Sequence, residues 1–584
     1  MTPAPDGLLA GLDAEQRLAA ETLLGPVCIL AGAGTGKTRA LTHRIANGVA
    51  TGVYDPARVL ALTFTTRAAG ELRTRLRQLG AAGVTARTFH SAALAQLSHF
   101  WPQLVGGSLP RILNGKGRML GQAAEQLRIL VDTAALRDVA AEIEWRKIMR
   151  LSLEDYALAA ASRALPPGVG VDAMVELQRT YESIKDDRRQ LDFEDVLLAT
   201  AGMLDSERWV AEQVRAQYRF FVVDEYQDVS PLQQELLELW LGARTDLCVV
   251  GDASQTIYSF AGASSEYLLG FAGRYPEAAV IRLETNYRSS APVLQLANRL
   301  MRGRAGSLEL VAAEGSGDER GSAPPIAEPI AYDTDLDEAH GIAATVAAEI
   351  VAGTRPERIA VLYRVNSQAP QFESALAQVG VGTRLIGATR FFDQDIVKRA
   401  VLELRSVART TAAGPQPPLF QSVSDVLRHI GWTLQAPDGG GAGGGGAVRE
   451  RWEALTALVE LADQAAPGTT LTAFVDDLLE RQAAQHEPTI SAVVLSTLHS
   501  AKGLEWDSVH IAGLSESLLP ISHARGLAAI DEERRLLYVG ITRARRTLAL
   551  SWSRQGLRGQ NREPSRFLAE LRTSSAGGSA PSRR

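Results

Sequence analysis

Short apolar runs alternate with helix-type patterns in the first part of the chain. The runs GPVCILAGAG, from Gly25, and RVLALTFTT, from Arg58, are each followed by a segment with helical spacing of its apolar residues. An apolar strand followed by an amphipathic helix is the repeating unit of a parallel sheet. The pattern therefore predicts an α/β domain near the N-terminus.

Two long helical stretches interrupt this pattern. From about Ser91 to Gln190 the strands give way to alanine- and leucine-rich helical segments, and strands return at RFFVVDEYQD and DLCVVGDASQ. A second α/β series begins near Val280 and continues through ERIAVLYRVN, AVVLSTLHS, SVHIAGL and LALSW. It is interrupted by helical segments after FFDQDIVKRA and by GGGAGGGG, a composition typical of a flexible linker. The sequence predicts two α/β domains, each with a mainly helical insertion.

Composition narrows the protein class only modestly. Apolar residues make up 46% of the 584 positions and charged residues 22%, as in water-soluble proteins. Because no apolar run reaches the roughly 18 residues of a membrane span and no leader pattern is visible, we expect a cytoplasmic protein. Cys28 and Cys248, both in apolar runs, are too few for a disulfide framework or a cysteine zinc site. The formal net charge is −6, and six lysines stand against 55 arginines.

The clearest chemical motif follows the first apolar run. It consists of Ala31, Gly32, Ala33, Gly34, Thr35, Gly36, Lys37 and Thr38. In a P-loop, backbone N–H groups wrap phosphates at a helix N-terminus, the lysine reaches the β- and γ-phosphates, and the hydroxyl binds Mg²⁺. Alanine replaces the first glycine of the strict pattern. A glycine-rich turn without a ligand is the alternative, which the strand–helix context and the Lys-Thr pair disfavour.

Two further apolar runs end in polar residues. The run FVV is followed by Asp224 and Glu225, and the run LCVV leads to Gly251 and then to Gln255. At the carboxyl edge of a parallel sheet, Asp224 would hold Mg²⁺ and Glu225 would activate the attacking water. A solvated acidic turn is the alternative reading of the first pair. The second run disfavours it, because it supplies a neutral polar sensor beside the carboxylates.

Together these motifs resemble the UvrD/Rep/PcrA group of superfamily 1A DNA helicases. DEYQD and GDASQTIYSF resemble the group's motifs II and III, and LDAEQ, from Leu12, resembles its adenine-reading Q motif. In order along the chain, the other matches are LTFTTRAAGEL, TFHS, LDFEDVLL, LETNYRS, TLHSAKGLEWDSV and EERRLLYVGITRAR. The runs GPVCILAGAGTGKT and LPISHA resemble the actinobacterial UvrD-like branch in particular. The resemblance spans about Leu12 to Leu571.

The resemblance implies a role for each matching position in ATP hydrolysis. Gln16 and Arg39 would contact adenine, Tyr287 would stack on it, and Glu505 would hold the ribose. Gln255 would sense the γ-phosphate, which Arg288 and Arg543 would reach from the second domain. ATP and Mg²⁺ are the implied cofactors, with Thr38 and Asp224 as the metal ligands.

The resemblance also implies a track for single-stranded DNA. Its positions are Phe64, His90, Phe193, Tyr258, Phe260, Arg364, Asn366 and His499. Aromatic side chains suit such a track because every base offers a π-face. The alternative for the aromatic residues is ordinary core packing, and for the two histidines burial with satisfied hydrogen bonds. The implied partners are single-stranded DNA and junctions of single-stranded with duplex DNA, together with unidentified repair proteins on the bacterial nucleoid.

The implied fold is α/β, with two RecA-like P-loop NTPase domains whose parallel sheets are flanked by helices. The domain boundaries that we expect are 1–87 and 191–282 for domain 1A, 88–190 for the helical insertion 1B, 283–400 and 491–571 for domain 2A, 401–490 for a shortened helical insertion 2B, and 572–584 for a disordered tail.

Besides having the shortened insertion 2B, the chain departs from the group's pattern in two places. Motif III has Phe260 and Ala261 where most relatives have a tryptophan and an arginine. The chain also stops before the cysteine-quartet zinc element and the HRDC domain of longer actinobacterial relatives. Both departures bear on unwinding.

Four functions are compared with the sequence. The favoured interpretation is a DNA-dependent ATPase that moves 3′→5′ on single strands and unwinds duplex DNA. The second is a translocase that strips proteins from DNA but unwinds weakly. Motifs V and VI disfavour a P-loop switch or small-molecule kinase. A nuclease fusion of the AddA or RecB type is disfavoured because no nuclease domain follows motif VI.

Overall fold

The computed structural model describes most of the chain. It covers residues 5–572 except 114, 162, 164, 167, 314–325, 387–391, 393, 411–416, 436–445, 464, 467, 485–491 and 558. Most of the glycine-rich run and of the expected disordered tail lies outside the described residues. Within the described part of the chain, no helix is both long and apolar enough to cross a membrane.

The strands of the described residues follow in chain order. They are β1 (Val27–Ala31), β2 (Val59–Thr63), β3 (Thr85–Thr88), β4 (Arg111–Ile112), β5 (Gln190–Leu191), β6 (Phe220–Val223), β7 (Leu247–Gly251), β8 (Ala279–Leu283), β9 (Thr285–Asn286), β10 (Val311–Ala312), β11 (Ile330–Thr334), β12 (Ile359–Tyr363), β13 (Thr383–Ile386), β14 (Val493–Thr497), β15 (Trp506–Ile511) and β16 (Ala544–Gln555).

The α-helices of the described residues also follow in chain order. They are α1 (Pro5–Leu9), α2 (Ala14–Glu21), α3 (Lys37–Ala50), α4 (Thr66–Gln78), α5 (Phe89–Leu104), α6 (Gly117–Gln126), α7 (Thr133–Ile148), α8 (Leu153–Ala160), α9 (Val171–Asp187), α10 (Phe193–Ser206), α11 (Arg208–Gln217), α12 (Pro231–Leu241), α13 (Glu266–Leu269), α14 (Phe271–Arg274), α15 (Ala291–Met301), α16 (Asp335–Val351), α17 (Ala369–Gln378), α18 (Asp395–Thr410), α19 (Leu419–His429), α20 (Gly446–Asp463), α21 (Leu471–Ala484), α22 (Gly526–Ile541) and α23 (Arg566–Leu571).

The chain divides into two compact units. Unit 1 comprises Met1–Tyr287, Ala305–Ala313 and Gln394–Glu480. Unit 2 comprises Arg288–Arg304, Glu314–Asp393 and Arg481–Arg584. The division between the units therefore falls directly after Tyr287.

Unit 1 contains a six-stranded parallel sheet with the order β3-β2-β6-β7-β1-β8. One face packs on helices that include α5, α10 and α12, and the other packs on α3 and α4. Because both faces are covered, the inner strands have almost continuous apolar sequences. The carboxyl ends of all six strands lie along one edge, where ligands bind in sheets of this type.

Helices α6–α9 of unit 1 have an apolar core of their own. Buried residues such as Leu120, Ile143, Leu177 and Tyr181 form that core. The short strands β4 and β5, paired in parallel, flank these helices in the sequence. Unit 1 also includes α18, α19 and α20, and α20 packs against α7.

Unit 2 contains a second six-stranded parallel sheet with the order β11-β16-β15-β12-β14-β13. Helices α16 and α17 pack on one face through a core that includes Val346, Phe372, Val361 and Leu495. Helix α15 packs against α22 and α23.

The predicted fold class, α/β with parallel sheets and helical insertions, is confirmed. The expectation that a second α/β series begins near Val280 is wrong, since β8 pairs with β1 in the first sheet. As an edge strand, β8 alternates, with Val280 exposed and Ile281 buried. The sequence pattern did not indicate β3, whose residues TART are not an apolar run, or the two-residue strands β4 and β5. The exact domain boundaries stay a prediction.

Candidate nucleotide and nucleic-acid site

The P-loop connects β1 to α3 at the carboxyl edge of the first sheet. Gly34 and Gly36 have φ angles of 71° and 81°. A Cβ atom at Gly36 would also lie 2.7 Å from Nε2 of Gln16, so only glycine fits there. Lys37 opens α3, and the N-terminus of a helix favours bound anions. Ala31 is the fully buried last residue of β1, which explains why alanine is tolerated there.

Gln16 is held against the P-loop with one polar atom unused. Its side chain is 1% exposed, and Nε2 donates a hydrogen bond of 3.0 Å to the carbonyl of Thr35. Its Oε1 atom is buried and has no hydrogen-bond partner among the described residues. This orientation offers an acceptor, which fits the exocyclic amino group of adenine and repels the O6 atom of guanine. In its chemistry, the Gln16 side chain thus suits the adenine base of ATP.

The segment after β8 is fastened to the P-loop. Nδ2 of Asn286 donates to the carbonyl of Ala33, and the N–H of Tyr287 donates to the carbonyl of Gly34 over 2.9 Å. The hydroxyl of Tyr287 donates to Asp13. Burial and this hydrogen bond raise the pKa of Tyr287 to about 12, so the hydroxyl remains a donor at neutral pH. The predicted stacking residue therefore lies within unit 1, beside Gln16 and the P-loop.

The two predicted catalytic carboxylates follow β6. Asp224 is buried, and the N–H of Glu225 donates to its Oδ1 over 3.0 Å. Burial and the charge of Glu225 raise the pKa of Asp224 to about 7, while the charge of Lys37 acts in the opposite direction. Asp224 and Thr38 offer a carboxylate and a hydroxyl oxygen, the type of ligand that Mg²⁺ prefers, so the chemistry of the two predicted metal ligands fits the ion.

Glu225 has a strained backbone. Its φ and ψ angles are 52° and 41°, in the left-handed region that residues other than glycine rarely occupy. Strain of this kind is concentrated at functional sites.

A hydrogen-bonded relay links this carboxylate to motif III. Nε2 of Gln227 donates to Oε2 of Glu225, and its Oε1 accepts from the N–H of Asp252 over 3.0 Å. Oδ2 of Asp252 in turn accepts from Nε2 of Gln255 over 2.7 Å. The relay therefore joins the predicted water-activating group to the predicted γ-phosphate sensor.

The structure pairs four of the predicted DNA-facing rings of unit 1. His90 and Phe193 are stacked, with ring centroids 4.2 Å apart, and Phe193 is 54% exposed. Tyr258 and Phe260 meet edge to face at 6.1 Å, and Phe260 is 51% exposed. Exposure of Phe193 and Phe260 speaks against core packing, whereas Phe64 packs partly buried against the core of the sheet.

Both predicted track histidines are neutral at physiological pH. Burial lowers the pKa of His90 to about 4. Burial together with the charges of Arg364 and Lys502 lowers the pKa of His499 to about 3. These imidazoles can therefore stack or accept hydrogen bonds, but they add no positive charge for phosphate groups.

Two of the predicted ribose and phosphate residues of unit 2, Glu505 and Arg543, lie at the amino ends of strands. Glu505 precedes β15 and pairs with Arg288 at 2.5 Å and with Arg545 at 3.1 Å. Arg543 precedes β16 and is 1% exposed. Its guanidinium donates to the carbonyls of Val539 and Leu504 and to the hydroxyl of Thr542.

The predicted DNA residues of unit 2 lie at the opposite edge of its sheet. Arg364 and Asn366 follow the carboxyl end of β12, and His499 follows that of β14. The guanidinium of Arg364 makes a two-pronged pair with the buried carboxylate of Glu533.

Comparison with known proteins decides the family. Residues 12–276 match the model of the UvrD/REP helicase N-terminal domain. Residues 281–413 and 420–555 match that of the UvrD-like helicase C-terminal domain. The chain belongs to the UvrD/Rep helicase family.

Individual relatives agree with this assignment. The chain is 45% identical to the ATP-dependent DNA helicase UvrD2 of Mycobacterium tuberculosis, over 97% of this chain and 82% of the relative. It is 28% identical to the ATP-dependent DNA helicase PcrA of Bacillus subtilis, over 97% and 86%. It is also 28% identical to DNA helicase II of Haemophilus influenzae, over 97% and 87%.

This UvrD/Rep family member also has a second carboxylate cluster that resembles a metal site. Oxygen atoms of Glu182, Asp192 and Asp195 lie within 4.8 Å of one another. Nζ of Lys147 lies 2.6 Å from Asp192, 2.7 Å from Asp195 and 2.8 Å from Glu182, and Lys185 pairs with the same carboxylates. Two ammonium groups therefore occupy the position that a metal ion would take.

Three residues that the structure places in the site had no role predicted from the sequence. They are Asp13, Gln227 and Asp252, each of which holds a predicted functional side chain through a hydrogen bond. All three lie inside segments that resemble motifs of the family. Their motif positions were therefore a signal, but their partners could not be read from spacing.

Proposed function

We propose that this UvrD/Rep family member hydrolyses ATP when bound to single-stranded DNA, moves 3′→5′ along the strand and unwinds duplex DNA. Its substrates are single-stranded DNA and junctions of single-stranded with duplex DNA. It acts in repair or replication of chromosomal DNA in the bacterial cytoplasm. The relatives named above as DNA helicases support this assignment.

The observation that carries the proposal is the continuity between the relay and the aromatic rings. Glu225 is linked through Gln227 and Asp252 to Gln255. Phe260, half exposed, follows in the same segment as Gln255. A change at the γ-phosphate would reach a base-stacking ring through a short stretch of chain, which is what coupling of hydrolysis to movement requires.

Each group of the ATP site has a defined task in this proposal. Lys37 binds the β- and γ-phosphates, and Asp224 and Thr38 hold Mg²⁺, which when bound neutralises phosphate charge. Glu225 accepts a proton from the attacking water. Gln255, Arg288 and Arg543 stabilise the charge on the transferring phosphoryl group.

The DNA track works by stacking. Phe193 and Phe260 present exposed rings, and His90 and His499 are uncharged. Because stacking tolerates any base and phosphate contacts carry no sequence information, binding does not depend on sequence.

Two measurements test the proposal. ATP hydrolysis is measured with and without single-stranded DNA, and strand displacement is compared on duplexes with a 3′ or a 5′ tail. We expect strong stimulation by DNA and displacement from the 3′ tail alone. Hydrolysis that ignores DNA, or displacement from the 5′ tail only, contradicts the proposal.

A second function is supported by motif III. Phe260 and Ala261 stand where most members of the family have a tryptophan and an arginine, so one cationic contact is absent from this motif. Such a protein would move along DNA and displace bound proteins but unwind weakly. Fast release of streptavidin from biotinylated single strands, together with slow displacement of a 3′-tailed duplex, would favour this function.

A further inference from the structure

Asp13 lies immediately before α2, and both of its carboxylate oxygens are engaged. Oδ1 accepts a hydrogen bond of 2.7 Å from the backbone N–H of Gln16. Oδ2 accepts one of 2.6 Å from the hydroxyl of Tyr287, which is 274 residues away in the sequence. One side chain therefore contacts two of the three residues assigned to the adenine base.

The contact with Asp13 fixes the ring of Tyr287 at its outer end. The backbone N–H of Tyr287 is already held by the carbonyl of Gly34. The ring itself is 42% exposed, so packing restrains it on only part of its surface. A hydrogen bond to an ionised carboxylate is about twice as strong as one between neutral groups. The ring of Tyr287 is thus restrained at both its backbone and its hydroxyl end.

Ring orientation matters because stacking alone does not select a base. Selection depends on the edge of the base reaching Oε1 of Gln16, whose amide is held by the carbonyl of Thr35. If the ring of Tyr287 were tilted, a base stacked on it would not place its hydrogen-bonding edge opposite Oε1 of Gln16. Adenine would then lose the hydrogen bond to Oε1, while guanine would escape the repulsion at that atom.

The residue two positions earlier holds a third member of the pocket. The carbonyl of Gly11 accepts a hydrogen bond from Nη2 of Arg39, and a Cβ atom at Gly11 would lie 2.8 Å from that nitrogen. The short segment 11–13 thus holds two of the side chains assigned to the base, those of Arg39 and Tyr287.

We propose that Asp13 is a positioning residue for nucleotide selection. It holds Tyr287 in register with Gln16, and this register makes the pocket prefer adenine to guanine. The inference rests on the proposed function, because it takes ATP as the nucleotide and gives Gln16 and Tyr287 the roles that the resemblance implies.

The test compares variants that separate this contact from the helix cap. Tyr287→Phe removes only the hydroxyl, and Asp13→Ser keeps a cap for α2 but does not reach Tyr287. Asp13→Ala removes both contacts. Tyr54→Phe is the matched control, because the hydroxyl of Tyr54 donates to the carbonyl of Leu23, away from the base pocket.

Affinities for fluorescent ATP and GTP analogues are measured without DNA, with melting temperatures alongside. We expect Tyr287→Phe and Asp13→Ser to weaken ATP binding about tenfold, as for loss of a hydrogen bond to a charged group. GTP binding should change less than about twofold, so the preference for ATP narrows. The double variant should be no worse than either single one, and Tyr54→Phe should match the original protein.

Two results would overturn the inference. The first is an unchanged ATP-to-GTP ratio in both Tyr287→Phe and Asp13→Ser. The second is a change confined to Asp13→Ala and accompanied by a lower melting temperature, which would make Asp13 only a helix cap. Because the binding assay contains no DNA, it decides the role of Asp13 even if the original protein shows no DNA-stimulated hydrolysis.

Discussion

Asp224 and Asp192 are both buried aspartates of unit 1 beside other carboxylates, yet their pKa values are displaced in opposite directions. Burial and Glu225 raise the pKa of Asp224 to about 7, and the charge of Lys37 only partly offsets them. Burial acts on Asp192 too, but nearby ammonium groups, that of Lys147 foremost, outweigh it and hold its pKa well below the usual range.

The difference lies in where the compensating charge comes from. Around Asp192 the cations are lysine side chains of the chain itself, so the charges of this cluster are balanced and the cluster is complete without a ligand. Its ion pairs hold helices α7, α9 and α10 together. Around Asp224 and Glu225 the carboxylates outnumber the neighbouring lysine, and a bound divalent cation would supply the missing positive charge. A displaced pKa therefore indicates a ligand site only when its direction shows that countercharge is lacking.

The largest effect should follow from removing the lysine of the incomplete cluster. Lys37→Ala should reduce ATP turnover to background, because the point charge that binds the phosphates is lost. The melting temperature should stay unchanged, since no core contact depends on this side chain. Turnover is measured with single-stranded DNA at saturating ATP.

Retained DNA-stimulated hydrolysis in Lys37→Ala would contradict the P-loop assignment.

Arg543 extends the comparison to unit 2, because it is a buried cation whose hydrogen bonds include two carbonyls and a hydroxyl. Arg543→Ala should lower turnover roughly 10³-fold, the scale of an arginine finger. ATP affinity should change far less, since Gln16, Lys37 and Tyr287 remain. Both are measured by steady-state kinetics and nucleotide binding.

Normal turnover at saturating ATP, together with a lower melting temperature, would show that Arg543 is a structural residue.

Lys147→Met probes the complete cluster and should act on stability. Removing one partner of a buried pair costs about 3–5 kcal/mol, because the remaining charges stay buried without compensation. Lys147→Arg should also destabilise, since the larger guanidinium does not fit where one ammonium meets three carboxylates. The free energy of unfolding is measured in urea, at a temperature where the variant is still folded.

Arg67→Ala is the control, because its pair with Glu71 at 3.0 Å is solvent-exposed and should add little. A loss of turnover in folded Lys147→Met without a loss of stability would contradict the structural role.

Phe260 lies in the segment that follows Gln255, two positions before Gly262, where a Cβ atom would lie 2.7 Å from Ile148 of α7. Phe260→Ala should reduce DNA-stimulated turnover about tenfold, the cost of one lost stack of roughly 1–3 kcal/mol. Basal turnover should change less. Phe420→Ala, which removes another partly exposed ring, is the matched control.

Equal loss of basal and stimulated turnover, with unfolding, would instead indicate a core role for Phe260.

The smallest effect concerns acid stability. Because the pKa of Asp192 is lower in the folded protein than in the unfolded chain, the folded state binds fewer protons there. Its contribution is complete above about pH 4, near the unfolded pKa, and is lost as the pH falls toward the folded value. Asp192→Asn should therefore show a shallower loss of stability between about pH 4.5 and 3.

Asp187→Asn, at an exposed position of α9, should keep the slope of the original protein. An identical slope for Asp192→Asn would contradict the strong pairing of Asp192.

Much of the architecture could be predicted because it is locally encoded. Buried parallel strands such as β1, β6 and β7 have continuous apolar sequences, and the P-loop has a fixed spacing relative to β1. Motif order then indicated the family, which the comparisons confirmed.

The remaining features depend on contacts between distant residues. Pairing of Asp13 with Tyr287, or of Lys147 with Asp192 across 45 positions, leaves no periodic pattern in the sequence. The strand β8 was misplaced because an edge strand and the first strand of a new sheet have the same local sequence character. The scarcity of lysine was a signal, but the sequence did not indicate that three of the six would meet carboxylates in unit 1.

That distribution of lysines determines how the protein responds to amine-reactive reagents. Lys147 and Lys185 are each 2% exposed and Lys116 is 10% exposed, and all three are held by carboxylates. Acylation of the folded chain is therefore directed to the other ε-amines, those of Lys37, Lys398 and Lys502. Mass spectrometry of acylated peptides gives a footprint with few signals, in which protection of Lys37 by ATP reports nucleotide occupancy directly.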